Sequence, residues 1–199
     1  MKTLIVYLIF VLNFSIVVQA QHATPQLLKF PANWGFEQFQ LPPEFAPGIH
    51  YKGIEELRFA PGMFKKDTVT YFTYAFVAQL DNVTSFSQND INDYLLKYYK
   101  GLCSSTAKER KLVIDTAKIT VAVEKKKGLA ANEIIYNASL NIFGVFADGA
   151  PVKLNMEVKV LKDPSAKKTY LVFITSPQQK TDPVWKQLYK IQKEFTIPN

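Results

Sequence analysis

Residues 70–80 read TYFTYAFVAQL, and the alternation in this stretch decides the architecture. In an extended chain Phe72, Tyr74, Phe76, Ala78 and Leu80 point one way, and Tyr71, Thr73, Ala75, Val77 and Gln79 the other. Both sets are largely apolar. A strand of this kind is covered on both faces, so the fold needs a sheet with helices packed on it.

The residues downstream supply both. After the turn DNVTSF, the stretch SQNDINDYLLKYYKG takes helical spacing, with Ile91, Tyr94, Leu95, Tyr98 and Leu102 on one stripe and Asp93, Lys97 and Lys100 facing out. Ser87 is its N-cap with Asp90 three residues on, and Gly101 is its expected stop. Four segments then follow with a period of two: KITVAVEK, EIIYNASLNIFGVF, VKLNMEVKVL and TYLVFIT. The third sets Val152, Leu154, Met156, Val158 and Val160 against Lys153, Asn155, Glu157 and Lys159. Asp148-Gly149 and Asp163-Pro164-Ser165 provide turn chemistry between neighbours, so the segments form an antiparallel meander with one polar face. Asp182 caps a last helix that begins at Pro183 and carries the stripe Val184, Leu188, Ile191 and Phe195, widened by Trp185 and Tyr189.

Upstream, residues 21–68 hold Pro25, Pro31, Pro42, Pro43, Pro47 and Pro61, and proline removes a backbone donor and blocks helix interiors. This part is therefore expected to be an irregular, proline- and aromatic-rich arm. Its Phe30, Trp34, Phe36, Phe39, Phe45 and Phe59 require burial, so the arm packs onto the domain formed by residues 69–199. The expected fold is α+β: a bent antiparallel sheet of about five strands in β-α-β-β-β-β-α order, with two helices on its apolar face. The element order is similar to that of cystatin-like, nuclear-transport-factor-like and helix-grip domains. Such folds often enclose an apolar pocket, and the resemblance is one of element order alone.

Residues 1–20 pair Lys2 with the apolar run LIVYLIFVLNFSIVV and the small-residue positions Val18 and Ala20, the pattern of a secretory signal peptide cleaved after Ala20. The expectation is a secreted or periplasmic chain starting at Gln21, with no membrane span after cleavage. Its formal charge of +7 falls by one with Lys2. The lysines are scattered, and the run Lys125-Lys126-Lys127 before Gly128 reads as a solvated hairpin tip. Together with the export signal this argues against nucleic acid as a partner. Asn82-Val83-Thr84 and Asn137-Ala138-Ser139 are glycan acceptors only under a eukaryotic export pathway.

Chemistry-bearing residues are sparse. One cysteine, Cys103, allows no intramolecular disulfide, and with two histidines it gives no zinc set. No Gly-rich phosphate loop, dinucleotide fingerprint or G-x-S-x-G elbow occurs, so no cofactor and no metal are expected. A Cys103–His50 nucleophile–base pair lacks any local signature. The unusual stretch is GIEELRFAPGMF, residues 53–64, in which Glu55 and Glu56 precede Arg58. Adjacent residues of an extended segment face opposite ways, so the two carboxylates do not pair with each other. A carboxylate hydrolase would need a second acid, such as Asp81 or Asp90. The structural reading makes this stretch a lock, with Arg58 bound to one glutamate or to loop carbonyls. The candidate ligand-binding residues are His50, Glu55, Glu56 and Arg58, joined by Tyr98 from the helix stripe. The functional reading is a secreted binding module with an aromatic-lined pocket or groove near the arm, taking a small molecule, glycan, lipid or protein. The alternatives are an envelope or extracellular protein-interaction domain and a carboxylate-dependent hydrolase.

Overall fold

A computed structural model describes residues 26–29, 31–127 and 133–198. The expected signal peptide, the start at Gln21, His22, Phe30 and Gly128 lie outside the described residues. The chain forms one seven-stranded antiparallel open sheet with two helices, an α+β fold. In chain order the elements are β1 (Gly35–Leu41), β2 (Gly53–Phe59), β3 (Tyr74–Asp81), α1 (Gln88–Glu109), β4 (Thr120–Lys125), β5 (Ile134–Phe143), β6 (Pro151–Asp163), β7 (Lys168–Ser176) and α2 (Pro183–Glu194). The spatial order is β1-β2-β3-β7-β6-β5-β4. Two meanders thus meet at β3 and β7, and α1 carries the chain from the middle of the sheet to its far edge.

The alternation in residues 70–80 has the consequence it implies. Phe72, Tyr74, Phe76, Ala78 and Leu80 belong to one apolar cluster, shared with Tyr94, Leu95, Tyr98 and Cys103 of α1. Ala75 and Val77 belong to a second, shared with Trp185, Leu188 and Ile191 of α2. The expectation of both helices on one face is therefore corrected: α1 and α2 cover opposite faces, because β3 and β7 present apolar side chains both ways. The strand itself begins at Tyr74. Phe72 has φ +51°, which interrupts the extended run, although its side chain still joins the α1 cluster.

The count of about five strands is corrected to seven, because residues 35–41 and 53–59, expected to be irregular, form β1 and β2. The prolines lie between and beside these strands and not within them, so every ladder donor is kept. Leu27, Leu28 and Trp34 pack into the α2-side cluster.

Helix α1 starts as the sequence implies: Ser87 is the N-cap and a reciprocal capping box with Asp90 is present. It does not stop at Gly101 but runs to Glu109. Gly101 is there because a Cβ would lie 2.1 Å from the Phe45 carbonyl oxygen, so the glycine lets the 42–52 loop lie against the helix. Cys103 consequently sits inside α1, buried. At the start of α1, Gln88 Nε2 donates to the Val123 carbonyl (2.8 Å) and Asn92 Nδ2 to the Val121 carbonyl (3.0 Å) of β4. At α2, Pro183 occupies the first turn, but Asp182 makes no cap bond and accepts from the Gln179 amide at 2.9 Å.

The polar face of β4–β6 is not wholly open to water. Glu157, expected outside, is 2 % exposed beneath α2. It accepts from Lys180 Nζ (2.9 Å), Lys126 Nζ (3.1 Å) and Tyr189 Oη (3.0 Å). Lys126 is therefore anchored and not part of a freely solvated tip. Lys180 also donates to Asn137 Oδ1 at 2.7 Å, which ties that sequon residue into the sheet. Asn82 lies in the turn after β3 with φ +59°.

Candidate functional site

Strand β2 places three ionisable side chains in the interior: Glu55 and Glu56 are fully buried and Arg58 is 6 % exposed. Strand alternation divides them. Glu56 and Arg58 point to the α2 face and Glu55 points to the α1 face, so the structure does not gather the charged residues into one site.

On the α2 face, Glu56 accepts from the Leu27 amide (2.6 Å), the Leu28 amide (2.9 Å) and Gln38 Nε2 (3.2 Å). Arg58 Nη2 donates to the Leu28 carbonyl at 2.6 Å and meets Glu56 Oε1 at 3.4 Å. Its guanidinium lies 4.6 Å from the ring centroid of Phe36, on the neighbouring strand. The bonds to the Leu27 and Leu28 amides and the Leu28 carbonyl tie residues 27–28 to β2, and the constellation is a fastening. His50 is exposed in the loop before β2 and forms no hydrogen bond among the described residues. The sulfur of Cys103 contacts the Phe143 carbonyl oxygen at 3.8 Å, and burial pushes its thiol up to about 11. The structure therefore does not bring a Cys103–His50 pair together.

On the α1 face, Tyr94 Oη donates to Glu55 Oε2 at 2.7 Å and Tyr98 Oη to Glu55 Oε1 at 2.6 Å. The two phenols are four residues apart, so one helix face presents both to one carboxyl. Burial pushes the Glu55 carboxyl up to about 7; the Tyr98 and Tyr94 hydroxyls oppose that rise, and the nearby Glu37 charge adds to it. Burial also raises Tyr94 and Tyr98 well above the ordinary phenol range, so both remain donors. Beside them the hydroxyls of Tyr74 and Tyr99 bond to each other.

Tyr98 is also a wall of a pocket of about 210 Å³. Glu37 and Phe39 of β1 and Leu57 and Phe59 of β2 line one side. Tyr98 and Leu102 of α1 face them, and Phe45, Phe64 and Phe146 close the pocket from three loops. The rings pack edge to face: Phe45 on Tyr98 at 5.0 Å between centroids, and Phe64 on Phe146 at 5.2 Å. Phe64 remains 52 % exposed at the mouth. Larger hollows of about 410 and 740 Å³ lie near residues 26–29 and 196–198, where their walls adjoin chain outside the described residues.

Of the sequence candidates, the structure brings Glu55 and Tyr98 together, keeps Glu56 with Arg58 on the opposite face, and leaves His50 apart. Tyr94, Glu37 and the ring of phenylalanines were missed as site residues. The i, i+4 spacing of Tyr94 and Tyr98 was the one available signal. Glu37, Phe45 and Phe146 carry no local pattern, because sheet pairing and loop docking bring them together. No group of three or more metal-ligating side chains occurs among the described residues, and none of their helices is long and apolar enough to cross a membrane. Comparison with protein-family models, curated proteins and solved structures yields no match to this chain.

Proposed function

We propose that this chain is a secreted, non-enzymatic binding module that receives an apolar group in the pocket between α1, β1 and β2. The carrying observation is the pocket itself: seven aromatic rings from seven separate segments converge on one partly open space. Aromatic side chains left to fill a core would close on one another at interior density, with no void beyond a water's size. Ligand sites are concave and mostly apolar with a few placed polar groups, and this one has Glu37. Its volume suits one ring or a short alkyl chain. A hydrolase reading would fall to Glu55, the carboxyl with the raised pKa. That group has no exposed surface and both of its oxygens are bonded to phenols, which favours binding over catalysis.

The test is an NMR titration of the labelled protein with indole and with toluene. Saturable amide shifts confined to residues 37–64, 98–102 and 146 are expected, and they should vanish in Leu102→Trp, which fills the space. Shifts elsewhere only, or no saturation at the solubility limit of both probes, would refute the reading.

A further inference from the structure

We propose that the pocket selects small organic ammonium ions, an aryl- or alkylamine whose hydrocarbon part enters between the rings while its charge meets their faces and Glu37. This rests on the binding-module reading and adds to it the class of ligand.

Among the described residues, Glu37 is the only charged side chain lining the pocket, and it is exposed on the strand next to Glu55. The remaining walls are apolar or aromatic and include Phe39, Phe45, Phe59, Phe64 and Phe146. Aromatic faces carry negative quadrupole density and attract a cation within about 6 Å of the centroid, whereas they offer nothing comparable to an anion. Among the described residues no lysine or arginine lines the pocket to oppose a cation.

The chain as a whole is basic, at +7, which sets the long-range field against a cation. At physiological ionic strength that field is screened over about 8 Å, so the carboxylate and rings in contact with the ligand outweigh it.

The experiment compares 2-phenylethylammonium with 2-phenylethanol and 3-phenylpropanoate, three ligands of similar shape that differ in charge, by NMR titration at neutral pH. The ammonium ion should bind about five- to tenfold more tightly than the alcohol, the ratio expected from one exposed cation–π contact and one adjacent carboxylate. Glu37→Gln should remove most of that preference, read as the ratio of ammonium to alcohol affinity within the same protein. Because Glu37 is exposed, this variant keeps the fold, and its amide spectrum verifies that. Equal binding of ammonium and alcohol, tighter binding of the anion, or an undiminished preference in Glu37→Gln would overturn the charge selection while leaving an apolar binding site intact. If none of the three ligands binds, both this inference and the binding-module reading fail.

Discussion

The carboxyl of Glu55 offers the sharpest quantitative test of the interior. In the folded chain burial holds its proton to about 7, whereas a glutamate ordinarily releases its proton near 4.5. Between those values the folded state binds more protons than the unfolded state, so stability falls as pH rises, and the loss is complete above about 7. At about 1.36 kcal/mol per pH unit, the window corresponds to roughly 3 kcal/mol. Glu55→Gln has nearly the same shape, keeps an acceptor for one phenol, and has no proton to lose. Urea unfolding of both proteins at several pH values isolates the effect, since all other titrating groups cancel in the difference. The two should have similar stability near pH 5. Near pH 8 the glutamine variant should be the more stable by about 2–3 kcal/mol, which exceeds the typical ±10–15 % extrapolation error for a domain of this size. Parallel pH profiles would refute the reasoning, because they would mean that the carboxyl reaches water or an unseen cation.

Glu157 should behave in the opposite sense. Burial alone would raise its pKa, but the Lys180 and Lys126 ammonium groups outweigh that and hold it below the ordinary value. Its contribution is present above about pH 4.5 and is lost in acid, so the stability deficit of Glu157→Gln should shrink as pH falls through that range. Arg58→Ala should cost about 3 kcal/mol, the low end for a broken buried pair, because Glu56 keeps its bonds to the Leu27 and Leu28 amides. Hydrogen exchange at residues 26–29 should accelerate with it, and unchanged exchange would show that Arg58 does not fasten this segment. Gly101→Ala should lower the urea midpoint. Helix propensity favours alanine by about 1 kcal/mol, but the new Cβ would lie 2.1 Å from the Phe45 carbonyl, and overpacking of that kind costs about 1–3 kcal/mol.

The second half of the fold was legible because its signals are local. The period-two alternation of residues 118–176 and its turn dipeptides match strands β4 to β7, and the capping box at Ser87 and Pro183 at the start of α2 stand where the sequence puts them. The two-faced apolar pattern of β3 matches its two apolar clusters, whereas the placing of both helices on one face was mistaken. The first half was obscured for a physical reason. Flanking prolines suggest irregular backbone, and the run Glu55-Glu56-Leu57-Arg58 lacks the apolar alternation of an interior strand. Both glutamates and the arginine are buried because partners distant in sequence satisfy them: Tyr94 and Tyr98 from α1, and the amides of Leu27 and Leu28. No local window contains those partners. Gly101 misled for a related reason, since its role is an approach by a loop more than fifty residues earlier in the chain.

The two borders of the sheet differ in their capacity to recruit another strand. Lys126 donates to Ile135 across the β4–β5 ladder, and by ladder parity residues 120, 122 and 124 face β5 while 121 and 123 face outward. Those two outward carbonyls are the ones that Gln88 and Asn92 occupy, so α1 blocks the β4 border with its own amides. On the opposite border β1 has no strand beyond it among the described residues, and it carries the half-exposed Phe36. Among the described residues the sheet is thus open to strand addition at one border only. Two copies joined border to border through β1 would each present only a blocked side to the next arrival, so such association ends at a pair and does not propagate into a fibre.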